Sequence, residues 1–261
     1  KIFVRWYTDE GERLMKKRLD LFLVEQGYFE TREKAKREIM IGNVIINEQA
    51  VTKAGTMVKD DDENLTVRIK ERLKYVSRGG LKLERAIEYW DLKFEDAVVL
   101  DVGSSTGGFT DCALQSGAAY VYATDVGKNQ LDWKLRTNEK VKSIEEKHIK
   151  DLTLEDIDNK KVDYIVIDVS FISLTNVLQY LEEFLKDSGK IITLIKPQFE
   201  VGREKIGRNG IVTNPEYHDE AIKKVIKYAD SKNFKLIDIT DSPISGAKGN
   251  KEFLGLFSIK K

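Results

Sequence analysis

The chain has 261 residues, enough for one large domain and a small one, with 41% hydrophobic and 34% charged residues. Its 44 basic and 44 acidic residues cancel, so any RNA contact must come from a local basic face. The single cysteine, Cys112, excludes an intramolecular disulfide and fits a cytoplasmic protein. Two distant histidines beside it make no metal set, and no apolar run reaches the ~18 residues of a membrane span.

Residues 1–14 carry no clear pattern and are set aside as a leader or tag. Residues 15–69 form a separate module. Leu19, Leu21, Leu23 and Val24 start an amphipathic helix, opened by Lys16, Lys17 and Arg18 and ending near Gly27. Thr31 is the expected N-cap of a second helix, with Ala35, Ile39 and Met40 on one face and a stop at Gly42. Short strands follow at Val44–Ile46 and Leu65–Ile69. Arg32 and Lys36 are four apart and share a helix face, which suits either phosphate contact or an ordinary solvated surface, since Glu33 and Glu38 are interleaved.

Arg18-Leu19-Asp20, Gly27, Thr31-Arg32, Ala35, Ile39, Gly42, Val44, Asn47 and Val51 resemble the S4 RNA-binding fold, an α+β module of two helices and a hairpin. The resemblance implies RNA contacts by Arg18, Thr31, Arg32 and Lys36. Glu48 departs from it, standing at a turn where the family usually has glycine.

Residues 70–76 read as a linker, and residues 77–261 as an α/β domain. Ser77-Arg78-Gly79-Gly80 precedes a helix carrying Leu81, Leu83, Ala86, Ile87 and Trp90. Val98–Leu100, Val121–Ala123, Tyr164–Ile167 and Ile191–Leu194 read as buried parallel strands, with a weaker one near Val141–Ile144. Helical patterns at Phe109–Gln115, Leu131–Leu135 and Leu174–Leu185 separate them, giving a doubly wound layout. A helix over Tyr217–Tyr228 leads to a closing antiparallel hairpin, Lys235–Thr240 and Phe253–Ile259. Lys205–Asn214 is either a loop over the substrate or a plain surface loop.

Asp101-Val102-Gly103-Ser104-Ser105-Thr106-Gly107-Gly108-Phe109 is a strand–loop–helix junction whose backbone N–H groups can face a ligand. Its glycine spacing does not match G-x-G-x-x-G, and Phe109 stands where a P-loop needs lysine. S-adenosylmethionine, which has no phosphate, remains: N–H groups near Gly103 suit its carboxylate and Asp101 its ammonium. Asp125, ending the second strand about twenty residues on, suits the ribose hydroxyls. Asp151 suits the adenine amino group, or is a cap or loop acid. The cofactor set is therefore Asp101, Gly103, Ser104, Gly107, Gly108, Phe109, Asp125 and Asp151. Taken together, the region resembles Rossmann-like methyltransferases, which implies seven strands with the last antiparallel.

Lys82, Asp168, Lys196 and Glu252, with Arg78-Gly79-Gly80 and Lys196-Pro197-Gln198-Phe199-Glu200, resemble the Lys–Asp–Lys–Glu tetrad of the FtsJ-related and TlyA-type (hemolysin-like) ribose 2′-O-methyltransferases. That resemblance spans nearly everything from Lys16 onward. It implies methyl transfer to a cytidine 2′-OH of ribosomal RNA or ribosomal subunits, with Lys196 steering or deprotonating the hydroxyl, Arg78 as a further RNA contact, and no metal. A non-catalytic ribosome-assembly factor and a membrane-lytic hemolysin are the competing readings. The intact tetrad argues against the first, the missing membrane segment against the second.

Overall fold

The computed structural model describes residues 16–59, 62, 64–70 and 74–260, and the chain divides into two units, Lys1–Arg72 and Leu73–Lys261. The leader and residues 71–73 of the expected linker lie outside the described residues.

In the smaller unit, Leu19, Phe22, Leu23, Ala35, Ile39, Val44 and Val58 form the core. These residues sit on α1 (Leu19–Glu25), α2 (Arg32–Met40), β2 (Val44–Ile46) and β4 (Met57–Lys59). Thr31 caps α2 as expected, its Oγ1 accepting from the Lys34 N–H at 3.2 Å. Lys16, Lys17 and Arg18 do not open a helix. They form β1 (Lys16–Arg18), antiparallel to β4, and Arg18 is extended with ψ 136. Backbone pairing with β4 wins there over helix extension. β2 pairs with both β3 (Gln49–Val51) and β5 (Val67–Ile69), the latter shorter than its apolar pattern suggested. Asn47 and Glu48 join β2 to β3 with φ of 46° and 64°, both left-handed as a two-residue hairpin turn requires. Asparagine tolerates this and glutamate is strained there, which explains why glycine suits the second position.

The larger unit is a seven-stranded sheet in the order β11-β12-β10-β9-β6-β7-β8. Its parallel part is β6 (Val98–Val102), β7 (Tyr120–Thr124), β8 (Val141–Ile144), β9 (Val162–Ile167) and β10 (Leu185–Ile195). The chain steps from β6 outward to β7 and β8, then crosses to β9 on the other flank of β6. Strand order therefore reverses at β6/β9, and a crevice opens beyond the carboxyl ends of these two strands. β12 (Phe253–Ile259) runs antiparallel between β10 and β11 (Phe234–Asp241), so the hairpin inserts its second strand into the sheet.

Helices α3 (Gly79–Tyr89) and α4 (Gly108–Gln115) pack over one core, with Leu83, Val99, Val121, Val166 and Ile192. The other face buries Leu100, Ile165, Ile167, Ile191 and Phe257 with α8 (Pro215–Ser231). The expected helix over Leu174–Leu185 is broken into α6 (Thr175–Leu178) and a 3-10 turn at Glu182–Phe184, and Leu185 already belongs to β10. Leu174, Val177, Leu178, Leu181, Phe184 and Leu185 all reach one core. Separate turns meet that apolar spacing as well as a continuous helix does. Similarly, the Leu131–Leu135 pattern yields only α5 (Trp133–Arg136), capped by Asp132.

Lys74–Val76, read as linker, pack into the larger unit. Tyr75 is buried and donates to Glu84 at 3.0 Å, while the Val76 N–H donates to Asp111 Oδ2 at 2.9 Å.

Candidate active site

The turn after β6 is shaped by what its glycines approach. Gly103 has φ +81°, and a Cβ there would lie 2.9 Å from Val169 Cγ1 and 3.2 Å from the Asp168 carbonyl oxygen. It thus lets the β6 loop close onto the β9 loop. A Cβ on Gly108 would strike the Ser77 hydroxyl and lie 2.9 Å from the Gly80 nitrogen, so α4 can meet the start of α3. Gly107, expected at the cofactor, has a different job. With φ +95° it caps α4, and its vacant Cβ position is filled by Leu135 and Leu131. It turns the backbone and packs against these leucines rather than lining a cavity.

Two neighbouring cavities open at the crevice, of about 950 and 520 Å³, sharing Gly103, Ser105, Asp168, Ser170 and Phe171. Asp101, Ser104, Gly108 and Phe109 line the larger one. Asp101 is fully buried; its Oδ2 accepts from Thr110 Oγ1 at 2.6 Å, while its Oδ1 has no partner. Burial pushes this carboxyl up to about 7, opposed by the Thr110 hydroxyl and reinforced by the charge of Asp168. An unpaired buried carboxylate oxygen beside a lined cavity is what an ammonium-bearing ligand would satisfy.

Asp125 immediately follows β7 and lines the smaller cavity. Its oxygens accept from the Ser105 N–H at 2.8 Å and the Gly127 N–H at 2.7 Å. A carboxylate has about four acceptor sites, so two remain for a diol. Asp151 does not join this wall. It ends the 3-10 turn Ile149–Asp151 exposed to solvent, and Lys147, His148 and Ile149 line the cavity instead. The turn follows β8 after a short connection, and its direction decides which residue faces inward.

Lys82, Asp168, Lys196 and Glu252 come from four separate segments and meet on one wall of the larger cavity. Lys82 is on the first turn of α3, Asp168 follows β9, Lys196 follows β10 and Glu252 precedes β12. Lys82 Nζ lies 2.7 Å from Glu252 Oε2 and 3.6 Å from Asp168 Oδ2, and Lys196 Nζ lies 2.6 Å from Asp168 Oδ1. Charges thus alternate along a chain of four, and both lysines and Glu252 are buried. Burying such charges is tolerable only when each has an opposite neighbour. Glu252 rests against Gly246, where a Cβ would collide with its carboxyl group.

The structure adds side chains to which the sequence reading assigned no role. Lys196 Nζ donates to Ser170 Oγ at 2.8 Å. Phe171 is 91% exposed, holds φ +66°, and tilts against Phe199 at 5.3 Å between centroids. A solvent-facing aromatic in a strained backbone, at the mouth shared by both cavities, needs a use to justify it. The tetrad resemblance pointed to this loop, but no sequence pattern announces a positive φ at phenylalanine.

Of the expected RNA contacts, Arg78 is exposed on the cavity rim. In the smaller unit Arg18 and Arg32 converge on the buried Asp20. Arg18 donates through Nε and Nη2 at 3.0 Å each, and Arg32 through Nε at 3.0 Å. These bonds hold the Asp20 carboxyl below the usual range against the effect of its own desolvation. The Thr31 hydroxyl is engaged as a helix cap, and Lys36 is half-buried on the same helix as Arg32.

Among the described residues, no helix is long and apolar enough to cross a membrane. Comparison with known families matches residues 75–258 to the FtsJ-like methyltransferase family and residues 17–64 to the S4 domain. YqxC of Bacillus subtilis is 47% identical over 239 residues, covering 92% of this chain and 84% of that protein. The 16S/23S rRNA (cytidine-2′-O)-methyltransferase TlyA of Mycobacterium tuberculosis is 37% identical over 236 residues, covering 90% and 87%. A solved structure of a hemolysin-named protein from Streptococcus thermophilus superposes with a TM-score of 0.72 at 43% identity, covering 95% of this chain and 90% of that one.

Proposed function

This chain belongs to the FtsJ-like methyltransferase family and carries an S4 domain, and from that premise we propose that it methylates a cytidine ribose 2′-OH of ribosomal RNA, using S-adenosylmethionine. The observation that carries the reading is the buried Glu252–Lys82–Asp168–Lys196 chain, set against the cavity that the Gly103 turn also lines.

S-adenosylmethionine supplies an electrophilic methyl group on a sulfonium. In this reading Asp101 binds its ammonium through the unpaired Oδ1, the β6–α4 turn its carboxylate, and Asp125 its ribose hydroxyls. Lys196 meets the incoming ribose hydroxyl: the O–H bond breaks as the O–CH₃ bond forms and the C–S bond breaks. The proton goes to Lys196 Nζ if that group reacts as the neutral amine, or to solvent if it stays an ammonium and only orients the hydroxyl oxygen. Asp168 holds Lys196 in place at 2.6 Å. Lys82 and Glu252 balance the charge behind it, so the site need not reorganise during transfer. Positioning supplies much of the rate, and proton removal roughly 10²–10⁴-fold more. Phe171 offers a face on which the target base stacks once it leaves its helix, a contact worth about 1–3 kcal/mol per base in other proteins. Arg78 on the rim, and Arg18, Arg32 and Lys36 in the S4 domain, take backbone phosphates.

The test is transfer of labelled methyl from S-adenosylmethionine to isolated ribosomal subunits and naked ribosomal RNA, followed by mapping of the modified nucleotide. A 2′-O-methylcytidine is expected. Label on a base or on protein, or no label in any RNA, refutes the reading.

A further inference from the structure

We propose that Ser170 is a positioning residue for Lys196, fixing the direction of its ammonium group toward the substrate hydroxyl; the inference rests on the role given to Lys196 above. Lys196 reaches the cavity on a flexible four-carbon stem. One ion pair with Asp168 Oδ1, at 2.6 Å, sets a distance but leaves the ammonium free to swing around that oxygen. Ser170 Oγ, at 2.8 Å, is a second anchor from the same loop. The bond to Ser170 directs one N–H, whereas the ion pair fixes only a distance, since Asp168 Oδ1 itself accepts no hydrogen bond. Lys82 does not supply this constraint, because its own ammonium is turned to Glu252 and Asp168. Nor does bulk water, since Lys196 is only 6% exposed.

The serine is a useful anchor only if its loop is held, and it is. Glu200, buried on α7 (Pro197–Glu200), accepts from the Ser173 hydroxyl at 2.6 Å and from the Leu174 N–H at 2.7 Å. Lys224 of α8 lies 3.2 Å from the same carboxylate. Segments 168–174 and 196–200 are therefore tied at both ends: Asp168 and Ser170 to Lys196 at one, Ser173 and Leu174 to Glu200 at the other. Ser170 is itself exposed where the two cavities meet, so its substitution disturbs no core packing.

The test compares full-length Ser170→Ala and Ser170→Thr with the unaltered protein on the RNA or subunit that the latter methylates. Removing the hydroxyl is expected to lower kcat roughly 10- to 100-fold, with the RNA KM and the S-adenosylmethionine Kd within twofold and the melting temperature unchanged. Threonine, which keeps the oxygen, is expected to restore at least a third of the rate. An unchanged kcat in Ser170→Ala, a loss confined to KM, or threonine no better than alanine overturns the inference. Lys196→Ala keeps the two readings apart. If that variant is inactive while Ser170→Ala is fully active, only the role of Ser170 falls. If Lys196→Ala stays active, the reading of Lys196 falls first.

Discussion

Replacing Asp101 by asparagine should change both stability and cofactor affinity, and pH separates the two. The carboxyl titrates near 3.8 when solvated and is pushed up to about 7 in the fold, because it is fully buried with only Thr110 to offset the cost. The sign follows from proton counts. Between these two values the folded state holds a proton that the unfolded state has released, so the folded state loses stability as pH rises through that window. About three pH units correspond to roughly 4 kcal/mol, fully felt above pH 7. Asparagine has no charge to bury, so its pH-independent costs shift the whole curve without changing its shape. Urea titrations at pH 5, 6, 7 and 8 without cofactor would measure this. Trp90, which donates to Asp238 at 3.0 Å, gives a fluorescence signal from the larger unit. The stability of Asp101→Asn relative to the unaltered protein should increase with pH by a few kcal/mol and level off above 7. Calorimetry on the unaltered protein should show S-adenosylmethionine affinity falling up to tenfold per pH unit below 7, as the carboxylate that pairs with the ammonium is protonated. The asparagine variant should bind weakly, with no such dependence. A stability difference that stays flat from pH 5 to 8 would refute the reasoning.

Three further outcomes follow from the geometry. Lys196→Ala should reduce methyl transfer at least 10²-fold while calorimetry finds S-adenosylmethionine affinity within about threefold of the unaltered protein; retained activity on RNA would remove Lys196 from the mechanism. Gly246→Ala places a Cβ against the Glu252 carboxyl and should lower kcat roughly 10-fold by displacing Glu252 from Lys82, measured at saturating RNA with circular dichroism as a folding check. Phe171→Gly and Phe171→Ala should both raise the RNA KM about 10-fold, yet the glycine variant should be the more stable by about 1 kcal/mol in urea titration, since it relieves the strain at φ +66°.

The strands were legible because parallel strands buried on both faces read as short apolar runs, and β6, β7, β9 and the end of β10 all carry one. The four charged residues were singled out by their resemblance to the tetrad of FtsJ-related methyltransferases, and strand placement supported two of them. Once the strands are placed, Asp168 and Lys196 fall at their carboxyl ends, where such sheets bind ligands. What escaped depended on direction rather than composition. Gly107 looks like its neighbours in the turn, but its side faces Leu131 and Leu135. Asp151 sits two residues beyond a lined position and points outward. Lys16–Arg18 have no apolar period of their own, and only the partner strand β4, some forty residues on, makes them a strand. Ser170 and Phe171 acquire meaning from a contact and a dihedral angle, neither of which a linear pattern encodes.

The last strand to be made is not the last in space. β12 lies inside the sheet, and Glu252 at its entrance pairs with Lys82 across 170 positions of chain. Such a contact has a high loop-closure entropy and should form late in folding. Until it forms, Lys82 faces the cavity without its main counter-charge, and the four-charge chain is one carboxylate short. The tetrad is therefore complete only once β12 is in place, so the pairing that closes the sheet also closes the candidate site.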